Sequence, residues 1–123
     1  MTEDKISQGI EYFLEYIRQT EQLYHISIAN EQEANDATQD LLHSLELEEH
    51  DYHSSARIAR KLKEVRQTRR AAKDLTLKTQ VVVNWIDENR KTIKTLEQLL
   101  GEVRKAERNT ENRIYTPKTS VIE

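Results

Sequence analysis

The sequence predicts an all-α protein, built as a long antiparallel helical hairpin of coiled-coil type with a third, shorter helix and an extended C-terminal tail. Three observations lead to this prediction. The 123 residues include only two glycines and one proline, so the chain has few of the residues that tight turns, and therefore sheets, require. Apolar residues recur at alternating spacings of three and four along most of the chain. An acidic block is followed directly by a basic one.

The first helix is predicted over about residues 4–48. Its apolar seam comprises Ile6, Ile10, Phe13, Ile17, Tyr24, Ala34, Leu41 and Leu45. The same seam also contains polar side chains, namely Thr20, Ser27, Glu31 and Thr38. Because serine and asparagine compete for backbone hydrogen bonds, a break near residues 27–30 would divide this helix.

A second helix follows a polar turn at about residue 52. Asp51 or Ser54 is expected to cap its first backbone N–H groups. Its seam comprises Ile58, Leu62, Val65, Ala72, Leu75, Val82, Val83 and Ile86. The β-branched run over residues 81–83 is typical of a strand, but its neighbours have helical periodicity, so we assign the run to the helix.

A third helix is predicted after a boundary near Asn89, with Thr92 as its cap and its end around Asn109 or Asn112. Its seam comprises Ile93, Leu96, Leu99, Leu100, Val103 and Ala106. Beyond it, a Thr-Pro pair favours extended backbone.

These elements predict one helical domain over residues 1–111 and an extended tail over residues 112–123. A helix of about 40 residues is about 60 Å long, so the short third helix covers only part of the hairpin. The uncovered apolar surface predicts self-association as a dimer.

The charged side chains form two successive blocks. Residues 31–51 contain eight acidic side chains and no lysine or arginine, whereas residues 52–80 contain nine basic side chains and two acidic ones. If the chain folds back near residue 52, positions i and about 104 − i lie opposite each other. Opposite charges at flanking positions specify the orientation of packed helices. We therefore expect the acidic arm to pair with the basic arm and to select the antiparallel register.

The C-terminal half contains three segments that together resemble a known class of proteins. These are KLKEVRQTRRAAKDL, VVNWIDENRKTIKTLEQLLGEVRKAE and ENRIYTPK. They are similar to small helical proteins of unassigned function encoded by phages and mobile elements of Firmicutes. In that class an R-x-x-RR-x-x-K-like segment precedes an apolar helix, and an R-x-Y-x-P-like element closes the chain. The matching residues here are Arg66, Arg69, Arg70 and Lys73, then Arg113, Tyr115 and Pro117. We include Arg113 and Tyr115 among the candidates for a binding surface. The resemblance implies a phage or prophage origin and no activity.

The basic run offers Arg66, Arg69, Arg70 and Lys73 as candidates for binding phosphate groups, because such contacts release counterions. The run contains no interleaved aromatic residues for base stacking, and the acidic arm is expected to neutralise much of its field. We favour a solvated, internally paired helix face and retain a nucleic-acid partner as an alternative.

Candidates for catalysis or metal binding are few. Glu46, Glu49, His50 and His53 have spacings that suit a divalent metal, but no other helix supplies a matching set, so we interpret them as a polar helix end. The chain has no cysteine and no Gly-rich phosphate loop. We expect no enzymatic activity, no cofactor and no metal.

Aromatic residues complete the set of candidates. Trp85 is expected in the core, because apolar residues surround it in the sequence. Tyr12 and Tyr16 lie off the main seam, where they face either a partner or the third helix; aromatic residues are enriched in binding hot spots.

Neither a signal peptide nor an apolar run of membrane-spanning length is present, so we expect a cytoplasmic protein of the bacterial host, without a membrane partner. The sequence predicts a non-enzymatic helical interaction protein that blocks or recruits a host or phage protein, for example as an anti-defence or host-takeover inhibitor. One alternative is a nucleic-acid-associated accessory protein that uses the basic helix at residues 57–78. A structural coiled-coil scaffold is another.

Overall fold

The computed structural model describes residues 5–111 and 118–119. It contains three α-helices: α1 at Ile6–Leu47, α2 at Tyr52–Glu88 and α3 at Arg90–Glu111. The all-α prediction is confirmed, and α1 is continuous, without the break considered near residues 27–30. The β-branched run at residues 81–83 lies within α2. None of the described helices combines the length and the apolar character that crossing a bilayer requires.

The contacts divide the chain into two compact units, which are described separately. The hairpin unit is Ile17–Glu88, and the terminal unit is Met1–Tyr16 together with Asn89–Glu123. A single domain over residues 1–111 stays a prediction. Most of the predicted tail, residues 112–123, lies outside the described residues.

The turn of the hairpin unit occupies residues 48–51. The carboxylate Oδ1 of Asp51 accepts a hydrogen bond from the backbone N–H of Ser54 at 2.7 Å, which confirms Asp51 as the cap of α2. The imidazole of His50 connects the two helix ends, because its Nδ1 lies 2.7 Å from Ser54 Oγ and its Nε2 lies 2.9 Å from the carbonyl oxygen of Ser44.

Two contacts between α1 and α2 establish the antiparallel register. Ser27 Oγ lies 2.7 Å from Thr76 Oγ1, and Arg69 donates to the side-chain amide oxygen of Asn35 at 3.5 Å. Both pairs fit the register that was predicted from a turn near residue 52.

The interior of the hairpin unit is built largely from small side chains. Its buried members are Ile17, Thr20, Ser27, Ala34, Thr38, Ile58, Ala72, Thr79 and Ile86. The hydroxyls of Thr38 and Thr79 donate to carbonyl oxygens one turn earlier in their own helix, to Ala34 and Leu75 respectively, each at 2.8 Å. Within the described part of the chain, no buried side-chain nitrogen or oxygen lacks a hydrogen-bond partner. The sequence predicted that the middle of the seam contains few apolar residues. The structure confirms this, and the buried polar side chains there have hydrogen-bond partners.

In the terminal unit the predicted seam of α1 is wrong at Ile6 and Phe13, whereas Ile10 is half-buried as expected. Ser7 and Leu14 are buried, whereas Ile6 and Phe13 are exposed. The prediction assumed one packing partner along the whole of α1, but here the partner is α3. Ser7, Ile10 and Leu14 form the less exposed face there, at spacings of three and four.

Polar contacts connect α3 to the first turns of α1. Lys5 pairs with Glu111 at 3.2 Å and Glu11 pairs with Arg104 at 3.0 Å. The carboxylate of Glu107 accepts the backbone N–H of Ser7 at 3.2 Å. Glu107 thus supplies, from a distant helix, the acceptor that a capping side chain normally provides.

The start of α3 also differs from the prediction. The helix begins at Arg90, so Asn89 occupies the capping position, and its carbonyl accepts the N–H of Ile93 at 3.0 Å. Thr92, the predicted cap, lies inside the first turn of α3.

Candidate functional site

The acidic and imidazole side chains near the turn do not form a metal centre. Glu46, Glu49, His50 and His53 are not brought together, and the described residues include no group of three or more histidine or acidic side chains suited to a metal ion. His50 instead bonds to serines on both helices.

The hairpin unit has two distinguishable sides along the line where α1 meets α2. One side, which we call the acidic groove, is shallow and is lined by Asn30, Glu33, Ala34, Ala37, Glu64, Val65 and Thr68. The other side carries the contact between Asn35 and Arg69. Because side-chain positions nearly repeat every seven residues in packed helices, these residues assign their heptad neighbours to the same sides.

Four basic residues of α2 form a continuous line on the side of Arg69. Lys63, Arg66, Arg70 and Lys73 follow one another at spacings of three, four and three, which places them on one helix face. We call this line the cationic stripe. All four side chains are exposed, and the first three line a shallow open groove. At 1.5 Å per residue the stripe is about 15 Å long.

The predicted pairing of the acidic arm with the basic arm is wrong at the level of side chains. Among the described residues, no ion pair joins the acidic block at residues 31–51 to the basic block at residues 52–80. The reason is the direction in which the charged side chains point around the axis of each helix. Glu33 lines the acidic groove, and Asp40 follows it by seven residues, whereas the groove beside the cationic stripe is lined by residues of α2 alone.

The part of α1 near Arg69 carries neutral amides and the carboxylate Glu31. Asn35 accepts the hydrogen bond from Arg69, and Gln32 and Gln39 are its neighbours at spacings of three and four. Gln32 donates to Asp36 of its own helix at 2.9 Å.

The structure brings together three of the four basic candidates. Arg66, Arg70 and Lys73 belong to the cationic stripe, whereas Arg69 contacts Asn35. Lys63 was missed as a site candidate, although its spacing from Arg66 was readable in the sequence.

The remaining candidates lie in the terminal unit. Tyr12 is 77% exposed and Tyr16 is 55% exposed, so α3 leaves most of the Tyr12 side chain accessible. Arg113 and Tyr115 lie outside the described residues.

An apolar strip continues the acidic groove side of the hairpin unit. On α1, Leu23 precedes Asn30 by seven residues and Ile26 precedes Glu33 by seven. On α2, Val82 and Trp85 occupy the heptad positions of Thr68 and Glu64. We call Leu23, Ile26, Val82 and Trp85 the apolar strip; all but the half-buried Val82 are exposed. Trp85 was predicted in the core, but it is 40% exposed and its neighbour Ile86 is buried instead.

Comparison of the chain with known proteins finds no matching family model, no similar curated protein and no similar solved structure. The resemblance to small helical phage proteins stays an expectation.

Proposed function

We propose that this protein is a non-enzymatic helical binding protein that docks a protein partner on the apolar strip and thereby blocks or recruits that partner. The observation that carries the proposal is the exposure of Leu23, Ile26 and Trp85 on one side of the hairpin unit. Grouped large apolar side chains on a protein surface are typical of interaction sites. Tryptophan in particular is enriched among the residues that dominate binding energy.

The chemistry of the strip suggests what the partner carries. Covering the exposed parts of these three side chains contributes roughly 1 kcal/mol each, which supports a specific contact when a polar rim surrounds it. Glu33 and Glu64 line the neighbouring acidic groove. A partner with an apolar centre and a basic edge is complementary to both features.

An affinity capture with paired variants tests this proposal. The strip variant carries Leu23→Ser and Trp85→Ser. The control variant carries Leu47→Ser and Tyr52→Ser, because these residues are 80% and 83% exposed at the turn of the same hairpin. The control therefore removes one leucine and one aromatic residue from a different place on the same unit.

The expected result from a nuclease-treated Firmicute lysate is one stoichiometric protein that wild type and the control variant retain and the strip variant loses. Circular dichroism establishes that both variants are folded. Retention of the same protein by the strip variant, or the absence of any stoichiometric protein, contradicts the proposal. Light scattering tests the alternative that the protein is a structural scaffold, because a single small oligomer would exclude an open-ended assembly.

A further inference from the structure

We propose that the terminal unit pairs with the terminal unit of a second copy of this chain, through an apolar face that α3 leaves open. This goes beyond the docking of a protein partner on the apolar strip, because the strip belongs to the hairpin unit. The residues of this face, which we call the terminal face, are all exposed: Ile6, Gly9, Phe13, Tyr16, Leu99 and Ala106.

One ion pair distinguishes the two sides of the line where α1 meets α3. Glu11 of α1 contacts Arg104 of α3 at 3.0 Å, so these two residues lie on the same side. On α1, Ile6 and Phe13 point about 150° away from Glu11 around the helix, and the less exposed residues lie between. Gly9 follows Ile6 by three positions, as Tyr16 follows Phe13, so both continue the face.

The same argument applies to α3. Leu99 lies five residues before Arg104 and Ala106 lies two after it, so both point about 150° away from Arg104. The less exposed residues Leu100 and Val103 lie between. The apolar residues of the two helices therefore share the side opposite the ion pair.

The terminal face has one level of large side chains and one level of small ones. The contacts between α1 and α3 place residue i of α1 level with about residue 115 − i of α3. Tyr16 is therefore level with Leu99, and Gly9 is level with Ala106. The two levels are seven residues apart, which is about 10 Å along the helix.

This arrangement is complementary in shape to a second copy of itself. When the two faces meet with their helices antiparallel, α1 packs on α1, and Tyr16 of each copy covers Gly9 of the other. Large side chains that face small ones allow packed helices to interdigitate. Gly9 lowers the helix propensity of α1, and a Cβ added to it would meet no atom within 4 Å. No contact within the described residues requires this glycine, whereas the close approach of a second helix does.

The edge of the face is complementary in charge. Glu102, three residues after Leu99, borders the face on α3, and Lys105 follows it by three. In the antiparallel pairing, Glu102 of one copy lies within about two residues, or about 3 Å along the axis, of the level of Lys105 of the other. On the α1 edge, Lys5 is paired with Glu111 of its own chain.

The area of the face is that of a dimer contact. Its four large side chains are 42–76% exposed, so together they leave about 400 Å² accessible in each copy. Apolar atoms make up about 60% of an interface, which gives about 1,300 Å² for the two copies together, within the range of stable interfaces.

Analytical ultracentrifugation of the full chain over a range of concentrations tests the proposal with two matched glycine substitutions. Wild type should approach twice the 14.5 kDa mass of one chain. Gly9→Leu fills the place of Tyr16 of the second copy, so the dissociation constant should rise about tenfold or more, although the variant has more apolar surface.

The control is Gly101→Leu. Gly101 also lies within a helix, and a Cβ added to it would meet no atom within 4 Å, but it points about 160° away from Leu99 around α3. The control should leave the dissociation constant unchanged. A further variant, Gly9→Leu with Tyr16→Ala, exchanges the large and the small position and should regain part of the affinity.

Several results would overturn the inference. These are the mass of a single chain at every concentration, an unchanged or tighter dimer in Gly9→Leu, and equal weakening by Gly101→Leu. A dimer that is lost only in the variant with Leu23→Ser and Trp85→Ser would place the self-contact on the hairpin unit instead. Circular dichroism of every variant ensures that a loss of pairing is not a loss of folding.

Discussion

The buried hydroxyl pair in the middle of the hairpin unit offers the sharpest test of how α1 and α2 are held together. Ser27 is 0% exposed, and its Oγ lies 2.7 Å from Thr76 Oγ1 and 2.7 Å from the carbonyl oxygen of Tyr24. Thr76 Oγ1 in turn lies 2.9 Å from the carbonyl oxygen of Ala72. The two hydroxyl groups carry only two protons, but there are three short contacts. The hydroxyl that donates to the other helix therefore does not donate to the carbonyl oxygen of its own helix.

This arrangement sets the size of the expected effects. A typical hydrogen bond contributes about 1 kcal/mol to stability. Ser27→Ala gains up to about 0.5 kcal/mol in helix propensity, so its net loss in free energy of unfolding should be about 0.5 kcal/mol. Thr76→Val keeps the side-chain shape, and the remaining Ser27 hydroxyl still bonds to Tyr24, so we expect a loss of 0.5 to about 1 kcal/mol.

The double variant tests the same count of hydrogen bonds. Wild type forms two hydrogen bonds with its two hydroxyl protons, each single variant keeps one to a carbonyl of its own helix, and the double variant keeps none. The two single losses should therefore add to within about 0.3 kcal/mol. Urea unfolding at a fixed protein concentration measures all four proteins. A double variant as stable as wild type would refute the claim that these buried hydroxyls are hydrogen-bonded in the folded protein.

Four further predictions concern single positions. Leu14→Ala, in the buried face of the terminal unit, should destabilise the protein by about 2–5 kcal/mol in urea unfolding, whereas Tyr12→Ala, at an exposed position, should change it by less than about 0.5 kcal/mol. The hydroxyl hydrogen bond from Ser7 is the main cause that lowers the pKa of Glu107. A lowered pKa in the folded state means that the charged carboxylate stabilises the protein above the unfolded pKa and loses this effect as pH falls through the folded pKa. The stability difference between wild type and Glu107→Gln should therefore shrink on acidification, and a difference that is constant with pH would contradict the capping role. Asp51→Ala should lower the free energy of unfolding by about 0.5–2 kcal/mol through loss of the α2 cap. Gly101→Ala, at a helical position with no neighbouring atom within 4 Å of the added carbon, should raise the melting temperature through a gain of about 0.4–1 kcal/mol.

The features of this fold that the sequence predicts are those that depend on composition and period. The scarcity of glycine and proline indicated long helices, and the polar EEHDYHSS segment located the turn that Asp51 caps. The position of that turn led to the observed register, whereas the opposed charge blocks do not form the expected ion pairs. The order of charged blocks in the sequence indicates only how far along the helix axis two residues lie. The direction in which each side chain points around the helix depends on the helical period.

The features that the sequence did not predict depend on which helix packs against a given part of α1. A hydrophobicity pattern does not favour burying Ser7 while Phe13 stays exposed. The choice follows from α3, whose Glu107 accepts the N–H of Ser7. That contact joins residues 100 positions apart, beyond the range of any local pattern. Likewise, the apolar strip became visible only when α1 and α2 were placed in register.

The capping of Ser7 by Glu107 also has a consequence for the order in which the chain acquires structure during synthesis. Residues 17–88 can pair as soon as α2 has left the ribosome, because their contacts close a shorter loop. The first turn of α1, although it is made before α2, lacks its acceptor until residue 107 has been synthesised. A nascent chain arrested before residue 107 should therefore exchange its amide hydrogens rapidly near Ser7 while the hairpin unit is already protected. A segment that is translated before the hairpin unit is thus completed after it.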